Sequence, residues 1–214
     1  MALVTLLGNT VTLLYRLTWN KTLLQKSYGM FVTNLGVSDL LMSGYLGLIA
    51  VADVSFQGEY VLHDYTWRNG NGCRAAGTIA TLSSITSTVF VFLITVDRFF
   101  AVRYPFGEVR FTHKTTAVAV IGAWIFGISI AFLPVLPFAQ NWGIYSSSGM
   151  CLGLPLSRER LPGWQYSVTV FIGQGAGGEA RTLHISGKIP HLLYHRRPYI
   201  LARRHKQVRK SRPS

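Results

Sequence analysis

Tyr28–Ala52, YGMFVTNLGVSDLLMSGYLGLIAVA, decides the fold. Its single charge is Asp39. A helix rises about 1.5 Å per residue, so about 20 mostly apolar residues cross a bilayer core of ~30 Å. This run is long enough. An acid in mid-membrane is costly and marks a functional position by default.

Three further runs share that character. Ala2–Leu17 is apolar but short, Ala75–Val96 is uncharged and rich in Ser and Thr, and Thr115–Ala139 is uncharged. Trp164–Ile172 starts a fifth and stops at Gly173. The whole chain of 214 residues is 49% hydrophobic and only 14% charged. A soluble domain carries about 25% charged residues. Plentiful aliphatic and aromatic residues exclude a disordered chain. Two cysteines are too few for a disulfide-stapled secreted scaffold.

The net charge of +13 is unevenly spread. The residues after Gly173 hold a single acid, Glu179, among basic residues that include Arg196, Arg197, Arg203, Arg204 and Arg212. This tail suits anionic lipid headgroups, at ~1 kcal/mol per basic residue near the surface. No nucleic-acid partner is expected, because no basic surface sits on a soluble fold.

Orientation follows from the loops, since Lys and Arg favour the cytoplasmic side. Arg16, Lys21 and Lys26 sit in one loop with no acid. Arg98, Arg103, Arg110 and Lys114 outnumber Asp97 and Glu108 in another. These two loops are assigned to the cytoplasm, and the N-terminus to the outside. The loop with Asp53, Glu59 and Asp64 is then extracellular. The sequon Asn20-Lys21-Thr22 falls on the cytoplasmic side and should stay bare.

Asp39, with nearby Asn9 and Ser87, is a candidate ion or proton site; a buried, hydrogen-bonded acid is the plainer alternative. The hydroxyls Thr78, Thr81, Ser83, Ser84, Thr86, Ser87, Thr88 and Thr95 mostly need no function, because each can bond its own i−4 carbonyl. Ala119, Ala123, Gly127 and Ala131 form a small-residue stripe at which a second helix can approach closely. Pro134 and Pro137 should kink or end that helix on its outer side. Cys73 and Cys151 both fall outside, where disulfides persist, so a bridge is expected. In the chain-entropy model it is worth ~4–5 kcal/mol.

These features in order resemble a rhodopsin-like (class A) G-protein-coupled receptor. Gly8-Asn9 is similar to the first-helix signature, and Asn34-Leu35-Gly36-Val37-Ser38-Asp39-Leu40-Leu41 to the second. Trp67 and Cys73 are similar to the first outer loop and its bridging cysteine. Asp97-Arg98-Phe99 resembles the acidic-Arg-aromatic motif, with Phe where Tyr is usual. Pro105-Phe106 fits the second inner loop, Trp124 the fourth helix and Cys151 the second outer loop. Ser38-Asp39-Leu40-Leu41-Met42, Tyr45-Leu46, Gly58-Glu59-Tyr60 and His63 followed by Trp67 resemble the leucine-rich-repeat, relaxin-receptor branch.

The resemblance implies an all-α membrane protein. It would be a partial seven-helix receptor bundle over residues 1–172, with about four transmembrane helices and a fifth-helix stub. The helices would span about 2–17, 28–52, 73–104 and 115–139, with the stub at 164–172. Residues 173–214 would be a basic, mostly irregular tail. The resemblance also implies a sodium site at Asp39, Asn9 and Ser87, with no other cofactor. It implies a Cys73–Cys151 bridge and an Arg98 restrained by Asp97 at rest. Coupling to a heterotrimeric G protein would use Asp97, Arg98, Phe99, Pro105 and Phe106. Trp124, Ala119, Ala123 and Gly127 would pack helices. The stimulus would be a peptide hormone and the site of action the plasma membrane.

The sequence departs from the family at its two ends. No leucine-rich repeats precede Met1, and Gly173-Gln174-Gly175-Ala176-Gly177-Gly178-Glu179 suits no membrane helix. The Trp-Pro and Asn-Pro-Tyr signatures of the sixth and seventh helices do not appear. The expectation is therefore a truncated receptor, impaired in signalling, whose tail comes from another frame or exon. Asp39 and the hydroxyls of the third run would lack covering helices, which favours retention in the endoplasmic reticulum. The competing expectation is a non-signalling stub that pairs with a full-length receptor through the small-residue face. Enzyme action is not expected, since no nucleophile–base pair, phosphate loop or metal cluster stands out.

Overall fold

The computed structural model describes residues 2–19, 26–104, 110–153 and 162–173. Helix α1 is Ala2–Thr18 and α2 is Ser27–Ser55. A short outer helix, α3, is Tyr60–Asn69. Helix α4 is Asn71–Arg103 and α5 is His113–Phe132. Two 3₁₀ turns, Leu133–Val135 and Pro137–Trp142, follow. A last helix, α6, covers 164–173. The sequon at 20–22, Pro105, Phe106 and the tail from residue 174 lie outside the described residues.

Among the described residues, three stretches are long and apolar enough to cross a membrane: Ser27–Ser55, Asn71–Arg103 and His113–Val135. The 17 residues of α1 reach only ~26 Å at helical rise, just short of a hydrocarbon core. Thr112 caps α5, its hydroxyl accepting from the Thr115 amide at 3.3 Å. This satisfies one of the donors that a helix start leaves unpaired. Pro134 and Pro137 stand at the starts of the 3₁₀ turns. The apolar sequence runs on to Ala139, but the α-helix stops at Phe132, because proline cannot donate to the ladder. The stretch expected as one helix to residue 139 is therefore a helix and two tight turns.

The helices pack as antiparallel neighbours in a readable register. Between α2 and α4, Ser27 meets Asp97 and Ser38 meets Thr86. Between α1 and α2, Thr5 meets Ser43, and the Leu13 side chain lies against Gly36. Between α4 and α5, Phe90 meets Trp124 and Thr86 lies under Gly127. A Cβ at Gly127 would come 2.5 Å from Thr86 Cγ2. Only glycine admits that approach.

Two apolar clusters fill the bundle. The outer one gathers Tyr45, Cys73, Ala76, Ala80 and Cys151. The inner one gathers Phe31, Phe90, Val120 and Ala123, with Leu35, Phe111 and Trp124 against it. Ala123, Gly127 and Ala131 are buried and Ala119 is half-buried. The small-residue face is thus occupied by α4 inside the chain. This face is therefore not the free surface through which pairing with a second receptor chain was expected.

The hydroxyl-rich face of α4 is also covered within the chain. Thr78, Thr81, Ser83, Thr86 and Ser87 are buried, so these groups do not await absent helices. Thr78, Thr86 and Thr95 donate to the carbonyls of Arg74, Leu82 and Val91, four residues back. This local bonding lets a polar-rich helix sit in an apolar medium without unpaired donors.

Candidate functional site

Three polar layers stack along α2 and α4. The middle one holds the candidate ion-site residues. Ser38 and Thr86 share a 2.9 Å hydrogen bond, and Ser83 donates to the Ser38 carbonyl at 2.7 Å. Asp39 and Ser87 each lie one residue past that contact. Interpolation between Thr5–Ser43 and Leu13–Gly36 sets Asn9 opposite the turn of α2 that carries Asp39. The three side chains therefore fall within about one helical turn of each other in height. Ser87 is buried, and Asp39 and Asn9 are half-buried. A carboxylate, an amide and a hydroxyl are hard oxygen donors of the kind that hold a small cation.

The layer at the C-terminal end of α4 holds the Asp97-Arg98 pair. Ser27 donates to Asp97 Oδ1 at 2.7 Å. The Arg98 guanidinium lies 3.6 Å above the Tyr28 ring centroid. Asp97 and Arg98 are thus each engaged by one of the first two residues of α2. A hydrogen bond to a charged group contributes about 1.5–3 kcal/mol. An exposed cation–π contact contributes about 0.5–1 kcal/mol. Phe99 points outward and is exposed. Behind these groups Phe111 meets Phe31 at 5.5 Å and Phe100 at 6.0 Å. One level further into the bundle, Trp124 donates its indole N–H to Asn34 Oδ1 at 3.0 Å.

The outer layer is a tied lid. Cys73 and Cys151 form a disulfide with Cα atoms 5.2 Å apart, both fully buried. The loop around Cys151 is gripped by three further bonds. Tyr45 donates to the Met150 carbonyl and Trp67 to that of Gly149, both at 2.9 Å. Tyr145 donates to the Ala131 carbonyl at 2.7 Å. Burial pushes the Tyr145 phenol up from its ordinary pKa, so it remains a neutral donor at physiological pH. A Cβ at Gly77 would come 2.5 Å from the Tyr145 ring, so glycine makes room for the lid. Tyr166 of α6 donates to the Ile130 carbonyl at 2.9 Å and fixes α6 beside α5.

Ser27, Tyr28 and Tyr145 did not stand out in the sequence, and Asn34 did so only as part of the second-helix signature. A signal for the first two was available. If α2 and α4 run antiparallel with Asp39 level with the middle of α4, the first turn of α2 must meet the last turns of α4.

The family model described as 7 transmembrane receptor (rhodopsin family) matches residues 8–175. The chain belongs to this family. Its relatives place it in the relaxin-receptor-like branch. It is 34% identical over 172 residues to G-protein coupled receptor GRL101 of Lymnaea stagnalis, covering 80% of this chain and 15% of that protein. It is 33% identical over 151 residues to human Relaxin receptor 1, covering 69% of this chain and 20% of that protein. To the Lutropin-choriogonadotropic hormone receptor of Gallus gallus it is 32% identical over 152 residues, covering 71% of this chain and 20% of the relative. The chain therefore spans between 15% and 20% of the length of these relatives.

Proposed function

We propose that this chain carries part of the membrane bundle of a peptide-hormone receptor and couples to a heterotrimeric G protein at the cytoplasmic end of α4. The plasma membrane is its proposed site, with the N-terminus outside. The observation that carries the reading is the placement of Asp97 and Arg98. They stand at the end of a membrane-long helix, where Ser27 and Tyr28 engage them. A stimulus that separates the first turn of α2 from the last turns of α4 frees Arg98 to engage its partner. That is a population shift between two helix packings, with no bond made or broken.

The middle layer is proposed to hold a sodium ion through Asp39, Asn9 and Ser87. A bound cation would supply a fixed positive charge there. The chain's own contribution is to keep three oxygen donors at one height on three helices. Peptide-hormone recognition rests on the named relatives.

The test uses the full chain in lipid nanodiscs with purified, nucleotide-free G-protein heterotrimer. The wild-type chain should retain the heterotrimer on affinity capture and release it on adding a GTP analogue. Arg98→Ala should abolish capture while leaving the disulfide and the helical circular dichroism intact. Equal capture by both forms, or none by the wild type, would overturn the reading.

A further inference from the structure

The short outer helix α3 carries an apolar face that is exposed among the described residues. Val61 is 90% exposed, Leu62 76% and Tyr65 78%. At 100° per residue these three lie within one arc of about 100°. The opposite arc faces the bundle. His63 stacks on Phe56 at 5.2 Å, Trp67 meets Phe56 at 6.0 Å, and the Tyr60 hydroxyl lies against Gly149. Beside it, Arg68 pairs with Asp64 one turn back. The exposed arc itself, Val61, Leu62 and Tyr65, carries no Lys, Arg, Asp or Glu.

Position supplies the occupant. Helix α3 is strung between the outer ends of two membrane-spanning helices. It starts soon after Ser55 and ends one residue before Asn71. At 33 residues α4 is ~50 Å long, close to the ~40–45 Å of a bilayer with its headgroups. Its first turn, and α3 beside it, therefore stand at the outer headgroup layer. The last two turns of α2 already expose Val51 and Val54 where lipid lies. Beyond the turn at 56–59, Val61 and Leu62 expose further apolar surface. A tyrosine on that arc suits the membrane–water boundary, with its ring apolar and its hydroxyl wet.

We propose that α3 is an interfacial helix. Its Val61–Leu62–Tyr65 face sinks into the outer leaflet at the boundary of headgroups and acyl chains. Through Trp67 and its bond to Gly149, this lipid contact reaches the loop that carries Cys151. The lid is thus held by the membrane as well as by its disulfide.

The full chain has two cysteines and both are bridged, so an introduced thiol is the only free one. Val61→Cys carries a nitroxide in the full chain, reconstituted in phosphatidylcholine nanodiscs. Its collision rates with oxygen and with a neutral water-soluble nickel chelate are compared by electron paramagnetic resonance. Tyr65→Cys is labelled in parallel, in case one variant fails to assemble. The lipid contact gives oxygen collisions several-fold more frequent than nickel collisions at both positions. Nickel collisions that equal or exceed oxygen collisions would place the face in water and overturn the proposal. An immobilised label reached by neither reagent would mean that protein covers the face, and would overturn it equally.

Discussion

At the outer end of the α2–α4 pair, Cys73 and Cys151 are fully buried and covalently joined. At the cytoplasmic end, Arg98 is exposed and rests on the Tyr28 ring. The outer lid adds three buried or part-buried hydrogen bonds, from Tyr45, Trp67 and Tyr145. The inner end adds one, from Ser27 to Asp97. The outer contacts sum to several kcal/mol, since the bridge alone is worth ~4–5 kcal/mol in the chain-entropy model. The inner contacts amount to about 2–4 kcal/mol together. Under the function proposed above, a bundle tied this way would hinge at the bridged end and open at the end that carries Arg98. That asymmetry would confine movement to the face proposed to meet the G protein.

The strongest way to break this comparison is to cut the outer tie. Cys73→Ser with Cys151→Ser should cost the most stability, ~4–5 kcal/mol, and should show as a large drop in the thermal midpoint of the chain in nanodiscs. If the midpoint is unchanged, the outer end is not the anchor.

Overpacking the seam between α4 and α5 comes next. Gly127→Leu pushes a side chain into Thr86 and Leu82. It should destabilise by about 1–3 kcal/mol and lower the thermal midpoint, whereas Gly122→Leu, with open space around it, should be nearly neutral. Trp124→Phe removes the donor to Asn34 and leaves a half-buried amide oxygen unpaired. A loss of about 1–3 kcal/mol is expected, and Asn34→Leu in the same background should recover part of it. A double-mutant cycle on chemical denaturation checks both.

The inner end should respond least in stability and most in function. Tyr28→Leu should cost about 0.5–1 kcal/mol at most. It should still strengthen G-protein capture, because Arg98 is released. Tyr28→Phe keeps the ring and should behave as the wild type. Equal capture by the Leu and Phe variants would mean that the ring does not restrain Arg98.

The sequence analysis located the membrane helices well because their signal is long and strong. Tyr28–Ala52 lies inside α2, and residues 73–104 nearly coincide with α4. It failed where the signal is short or shared. Helix α3 was read as a loop, since ten residues that include His63, Asp64 and Arg68 carry no sustained apolar period. The stretch Leu133–Ala139 was read as helix, because hydropathy does not distinguish a helix from apolar turns. Only Pro134 and Pro137 carried that information. At the candidate site, residues conspicuous by chemistry were found: Asp39, Asp97, Arg98 and the two cysteines. Ser27 and Tyr28, the partners of Asp97 and Arg98, are ordinary residue types. They matter only through the register between helices, which a single sequence does not display.

The most direct test is hydrogen–deuterium exchange along α4 in the full chain in nanodiscs, with the bridge intact and then reduced. With the bridge intact, the amides of Asn71–Ala80 should exchange much more slowly than those of Ile94–Arg103, although both stretches lie near a membrane surface. Reduction should collapse that difference by speeding the outer end alone. Equal protection at the two ends before reduction, or an inner end that exchanges more slowly, would contradict a bundle anchored outside and free to open inside.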